Sequence, residues 1–330
     1  MLYKNITILK YSLAKFYLGD IMEKYQQLLA IIDPTTEDQK ALKRAIELAK
    51  QTQATITAFL SIYDFSYEMT TMLSSDEREA MRESLINDRM QWLNELLKSI
   101  PHEDITIDTK VIWHNRPFEP IIEEVMENGY DIVIKGTHQH DKLKSVIFTP
   151  TDWHILRKCP CPVLLVKDHS WPMNGNIVAA LNVGSDEEEH QSLNTKITEE
   201  AINLSKLIKA NVHLVNSFPG TPVNIAIEIP EFNANEYNES MLNHHIDAMK
   251  EHAGKFGISS EHTHVEEGLP EDIIVQLADR LDAELVILGT IGRTGISAAL
   301  IGNTAEHLID NLNCDVLALK PDGYVSPLAK

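Results

Sequence analysis

"EDIIVQLADRLDAELVILGT", Glu271–Thr290, passes from a helical pattern into an apolar strand that stops at a glycine. "FEPIIEEVMENGYDIVIKGT", Phe118–Thr137, has the same order of features. Placing Gly136 over Gly289 sets the copies 153 residues apart, and the next thirty residues need no gap. In that register Pro117 meets Pro270, Ile121 meets Ile274 and Asp131 meets Glu284. Further on, Thr151 meets Thr304, His154 meets His307, Cys161 meets Cys314 and Lys167 meets Lys320. A period this long is a tandem domain duplication, not a solenoid.

Outward from this helix–strand pair, each copy alternates strand and helix patterns. "QLLAIID", Gln27–Asp33, is a continuous apolar run suited to a parallel strand covered on both faces. "EDQKALKRAIELAKQ" places Leu42, Ala45, Ile46 and Ala49 at helical spacing. Gly129 closes the helix before "DIVIKG". The second copy repeats the order from "NIVAALNV" to "DVLALK". Strands alternating with helices imply parallel sheets. "KDHSWPMNGN" reads as the linker between the copies.

The chain has 330 residues, enough for two cores, with 43% hydrophobic and 24% charged side chains. Its formal charge of −20, from 49 acidic against 29 basic residues, argues against direct nucleic-acid binding and against docking on an anionic membrane. No run reaches the length of a membrane span. Residues 1–21 are expected to be an extension ahead of Met22 that adds nothing to the fold, and the cytoplasm is the expected compartment. Cys159, Cys161 and Cys314 give no disulfide framework and read as small buried apolar residues.

The order of motifs resembles the universal stress protein family, over nearly the whole chain after Met22. The resemblance implies two tandem flavodoxin-like (Rossmann-like) α/β sandwiches with mainly parallel five-stranded sheets. The expected domains are residues 22–168 and 174–320, with a linker at 169–173 and a tail at 321–330. The family's pairing mode implies an intramolecular pseudo-dimer in which "PVLLVK" and "DVLALK" meet. The covalent link favours that pairing without a second chain; further self-association stays open.

The family's nucleotide binders carry G-x2-G-x9-G, and Gly289, Gly292 and Gly302 have that spacing. Gly289 and Gly292 would allow a tight turn off a strand end, and Gly302 would open a helix whose free N–H groups attract phosphate. Arg293 lies inside the motif. Asn303 stands where the family has Ser or Thr, with the Thr304 hydroxyl one residue later, and Asn182 stands where nucleotide binders have an adenine-side Asp. The acidic run Asp186–Glu189 reads as helix-start residues complementing the dipole. In the first copy Asp33 and Gly136 are kept, but Gln139, Thr149 and Pro150 replace the later glycines and Asn, with Thr151 following. That copy is not expected to bind nucleotide.

"HQHD", with His138, His140 and Asp141, lacks four ligands at zinc spacing, so no metal is expected. His245, His252, His262 and His264 read as exposed surface or edge residues. No nucleophile–base arrangement stands out, and no dedicated enzyme is expected. The leading expectation is a stress-response protein whose second copy binds ATP or another adenine nucleotide and acts in stress or DNA-damage survival through protein partners. Two alternatives stay open. One is a binding module for a lipid-like ligand or protein partner, built on "YDFSYEMTTMLSSDE" and the strip Ile225, Ala226, Ile227 and Ile229. The other is a slow nucleotide hydrolase.

Overall fold

A computed structural model describes residues 24–70, 72–102, 104–139, 146–147, 149–168, 170–221, 232–290 and 303–329. These divide into two compact units. One takes the described residues of Met1–Gly136, Pro150–Ile155 and Leu328–Lys330; the other takes those of Thr137–Thr149 and Leu156–Pro327.

The first unit is built on β1 (Gln27–Ile31), β2 (Thr55–Ile62), β3 (Ile107–Trp113) and β4 (Ile132–Gly136), in the order β4-β1-β2-β3. All are parallel: Leu28 lies opposite Ile56 on one side and Ile132 on the other. Leu28, Leu29, Ala30, Ile56, Val133 and Ile134 are buried, as a sheet covered on both faces requires. Helix α1 (Lys40–Thr52) buries Leu42, Ala45, Ile46 and Ala49, the stripe read from the sequence. The short α2 (Phe65–Glu68) precedes α3 (Ser75–Ser99), which opens with a reciprocal Ser74–Glu77 capping box. Helix α4 (Phe118–Asn128) ends on Gly129, whose φ of 72° is the left-handed conformation that glycine adopts without strain. Next in the chain come a hairpin of two-residue strands, β5 (His138–Gln139) with β6 (Val146–Ile147), which belongs to the second unit, and α5 (Pro150–Lys158), of which Pro150–Ile155 belong to the first.

The second unit contains β7 (Val163–Val166), β8 (Asn176–Leu181), β9 (Asn211–Phe218), β10 (Thr263–Glu267), β11 (Leu285–Gly289) and β12 (Asp315–Leu319). Their order is β10-β9-β8-β11-β12-β7. The connecting helices are α6 (Glu188–Ile208), α7 (Ala234–Phe256), α8 (Pro270–Arg280) and α9 (Asn303–Asn311). The five strands of the second repeat are parallel and take the Rossmann-like order of a doubly wound sheet. The sixth strand, β7, is the last of the first repeat. It joins β12 antiparallel, with Val316 opposite Leu165, so "PVLLVK" and "DVLALK" do meet.

The 153-residue register is visible atom by atom. Thr137 donates its N–H (2.9 Å) and Oγ1–H (3.1 Å) to the Val166 carbonyl, and Thr290 does the same at the same distances to Leu319. Lys167, directly after β7, is buried. Its N–H donates to Asp315 Oδ1 at 2.8 Å, and its ammonium donates to the Ile309 carbonyl at 3.0 Å and to that of Leu312. A cation is thereby held against carbonyls at the end of α9, where the helix dipole favours it. Burial nevertheless draws Lys167 down to about 8.

Candidate functional site

In a doubly wound sheet the crevice for ligands lies beyond the carboxyl ends of the strands where the connections reverse direction. In the second repeat that place is between β8 and β11, which pair directly through Leu285–Ile177 and Val286–Val178. Asn182 follows the end of β8, and Gly289 is the last residue of β11. Asn303 and Thr304 are the first two residues of α9, so a helix does begin immediately after the motif's last glycine position. Gly292, Arg293 and Gly302 lie outside the described residues.

Asn182 is fixed through its backbone. Its N–H donates to Asn194 Oδ1 at 2.9 Å, and Asn194 Nδ2 donates back to its carbonyl at 2.9 Å. Asn194 is buried on α6, whereas the Asn182 residue is exposed, its carboxamide carried on a peptide that cannot swing. Ahead of α6, Asp186–Glu189 are exposed, and Glu188 and Glu189 form its first turn, the helix-start role read from the sequence. Glu187 pairs with His190 at 3.0 Å, and Ser185 Oγ contacts the same ring nitrogen at 3.1 Å.

Gly289 owes its identity to packing. A Cβ there would overlap Leu193 Cδ2 on α6, and Gly289 is not among the glycines of positive φ. At the first-repeat counterpart, Gly136, an added Cβ would make an ordinary 3.6 Å contact with Lys40 Cβ. Close helix–strand approach, and not a tight turn, is what the first glycine of the motif supplies.

The first repeat is organised differently around the same frame. Asp33 is clamped by an amide as Asn182 is: its N–H donates to Gln39 Oε1 (3.0 Å), and Gln39 Nε2 donates to its carbonyl (2.7 Å). Its carboxylate, however, accepts from the Thr35 N–H (2.9 Å) and Thr35 Oγ1–H (2.6 Å), a closed local turn. Gln139 is strand-paired with Val146 in the hairpin. Thr149 precedes α5, Pro150 and Thr151 open it, and Asp152 in its first turn is buried and ion-paired with Lys135 at 2.5 Å. The same register positions in the second repeat are Leu288 and Ala305. The first repeat therefore places its own carboxylate at the end of α5 that attracts anions.

His245 corrects the surface reading, whereas His252, His262 and His264 are half-exposed and His264 lies on the edge strand β10. His245 is buried, stacked on Phe218 with ring centroids 4.9 Å apart, and covers Gly184, where a Cβ would overlap its imidazole. Asn216 Oδ1 accepts from the Val183 N–H at 3.1 Å, so Asn216 Nδ2 is the donor to His245 Nδ1 at 3.0 Å. That geometry requires the neutral, Nε2-protonated ring, and burial lowers the His245 pKa accordingly. His252 Nε2 meets Thr198 Oγ1 at 2.8 Å. His213, buried on β9, contacts His264 Nε2 at 3.1 Å and Asn176 Oδ1 at 3.3 Å, with the His262 ring 4.6 Å away. His264 lies on β10 and His262 in the single 3-10 turn just before it; the cross-strand partner His213 was not visible without the β9–β10 register. His154 stacks on Phe118 at 4.0 Å, and His140 and Asp141 lie outside the described residues. Among the described residues no group of three or more His, Cys, Asp or Glu is placed to hold a metal.

Cys159 and Cys314 are buried as expected, but Cys161 is half-exposed. Of the apolar segment after β2, Tyr63 and Tyr67 pack on Trp113 at 5.5 Å, while Phe65, Met69 and Met72 are exposed. The strip Ile225–Ile229 lies outside the described residues. No described helix is long and apolar enough to cross a membrane.

Two α/β repeats with a glycine-spaced connection in the second define a tandem nucleotide-fold protein, and the chain belongs to the universal stress protein family, whose profile matches residues 24–167 and 174–320. Universal stress protein E of Escherichia coli (strain K12) is 53% identical over 308 residues, covering 93% of this chain and 98% of that protein. The universal stress protein E homolog of Haemophilus influenzae is 44% identical, covering 90% and 98%. Among solved structures, a functionally unknown protein from Pseudomonas aeruginosa aligns with a TM-score of 0.69 at 32% identity, covering 91% of this chain and 94% of that one. A universal stress protein from Archaeoglobus fulgidus shares the fold, with a TM-score of 0.56 at 16% identity over 89% and 98% of the two chains.

Proposed function

We propose that this is a cytoplasmic stress-response protein whose second repeat binds ATP or another adenine nucleotide as a signal or structural ligand. It has no dedicated catalytic activity and supports survival under stress or DNA damage through protein partners. The observation that carries the reading is the placement of the motif's ends. Gly289 closes β11, Asn303 opens α9, and the clamped Asn182 directly follows the adjacent strand β8 at the reversal point of the sheet. An exposed carboxamide on a fixed backbone is suited to a base edge, and a helix N-terminus to phosphate. The first repeat supports the contrast, because its Asp33 carboxylate is engaged by Thr35 and the first turn of α5 carries the Asp152 carboxylate, paired with Lys135.

ATP titration of the whole chain and of Gly292→Gln tests this. Binding by the wild type that is lost in the variant is the expected result; no measurable binding at millimolar ATP overturns it. A second reading, an apolar docking surface for a protein partner, is favoured by the exposure of Phe65, Met69 and Met72.

A further inference from the structure

The stretch "KCPCPVLLVK" carries two thiols that the nucleotide reading leaves unused. Cys159 directly follows α5 and Cys161 lies two residues before β7, yet their sulfurs are 3.5 Å apart. Pro160 between them, with its fixed φ, limits how far the two residues can swing apart. Packing alone does not call for this pair: the register positions in the second repeat are Leu312 and Cys314, both buried. The two sulfurs also differ in access, since Cys159 is fully buried and Cys161 half-exposed.

Cys159 lies under the tail that follows β12. Lys320 is buried and stands with its ammonium 5.0 Å from the centre of the Tyr324 ring, and the Tyr324 hydroxyl donates to the Arg157 carbonyl at 2.6 Å. Burial draws Lys320 down to about 8.

We propose that Cys159 and Cys161 form a peroxide-oxidisable dithiol, with Cys161 as the attacked sulfur and Cys159 as the resolving one. In the first step a hydroperoxide gives one oxygen to Cys161. Its O–O bond breaks, an S–O bond forms, and the thiol proton leaves with the product alcohol, or with water when the oxidant is hydrogen peroxide. In the second step Cys159 attacks the Cys161 sulfenic acid, an S–S bond forms and the S–O bond breaks. The hydroxyl departs as water with the Cys159 proton. The dithiol has lost two electrons and two protons, and the peroxide has been reduced. A disulfide closed over one residue is strained, so exchange with a small dithiol should reopen it.

The test treats the whole chain with hydrogen peroxide, denatures it in iodoacetamide and maps alkylation by mass spectrometry. The expected result is loss of alkylation at both Cys159 and Cys161, in a peptide lighter by two hydrogens, reversed by dithiothreitol. Cys314, buried and pushed up to about 12, should stay fully alkylated as the internal control. In Cys161→Ser, Cys159 should remain alkylated after peroxide. In Cys159→Ser, Cys161 should be captured by dimedone as the sulfenic acid. Full alkylation of both cysteines in the oxidised wild type, Cys161 driven to sulfinic acid with Cys159 still alkylated, or a disulfide linking two chains each overturns the proposal.

Discussion

Asn194 grips the peptide of Asn182 at both ends, accepting from its N–H and donating to its carbonyl, each at 2.9 Å. The gripping residue is buried and the gripped one exposed, so stability and recognition fall on different side chains. Asn194→Ala should lower stability by about 1–3 kcal/mol, since it orphans a main-chain donor and acceptor. Asn182→Asp should change stability by no more than about 0.5 kcal/mol, with its effect appearing in the ATP titration. Urea unfolding of both variants checks the split; equal losses would refute it.

Gly289 and Gly136 hold the same register position with different tolerance for a methyl group. Gly289→Ala should destabilise by about 1–3 kcal/mol through overlap with Leu193, and Gly136→Ala should be close to neutral. Leu193→Ala is costly by itself because Leu193 is buried, but combined with Gly289→Ala the loss should be smaller than the sum of the two single losses. Thermal unfolding of these variants reads this directly, without any ligand.

Lys135 and Asp152 form a buried pair where the second repeat has Leu288 and Ala305. Removing one partner strands a charge, so Lys135→Leu or Asp152→Ala alone should cost about 3–5 kcal/mol. The double substitution, which copies the second repeat, should cost less than either single one. A double-mutant cycle by denaturant unfolding gives the coupling, and additive losses would show that the pair does not act as a unit.

Burial holds the pKa values of His213, His245, His252 and His264 below the ordinary 6.5 of histidine, His213 at about 4. The unfolded chain therefore binds more protons than the folded one in this range. The stability these neutral rings contribute is fully present above 6.5 and is lost as pH falls towards each folded value. Unfolding temperature should drop between about pH 7 and pH 4.5, and His213→Gln should flatten part of that drop. An unchanged slope in the variant would assign the acid sensitivity to other groups.

The duplication, the strand–helix alternation and the α1 stripe were legible because they are written in local periodicity. The position of the α9 start was legible too, since Asn303 follows the last glycine of a recognisable spacing. What stayed hidden needed partners distant in sequence. The reason for Gly289 is Leu193, 96 residues earlier and one helix away. His245 looked like a surface residue until Phe218, Asn216 and Gly184 closed around it. Asp33 matched the family's adenine-side position, but only the fold shows its carboxylate turned back on Thr35.

The antiparallel seating of β7 on β12 has a consequence for dissecting this chain. A fragment holding only the second repeat would leave β12 with a bare row of N–H and C=O groups along one side. Such an edge recruits whatever strand it meets, including that of another fragment, and aggregation follows. The intact chain supplies that neighbour from its own sequence at a fixed local concentration. Duplication here gives the β12 edge a partner strand from the same chain.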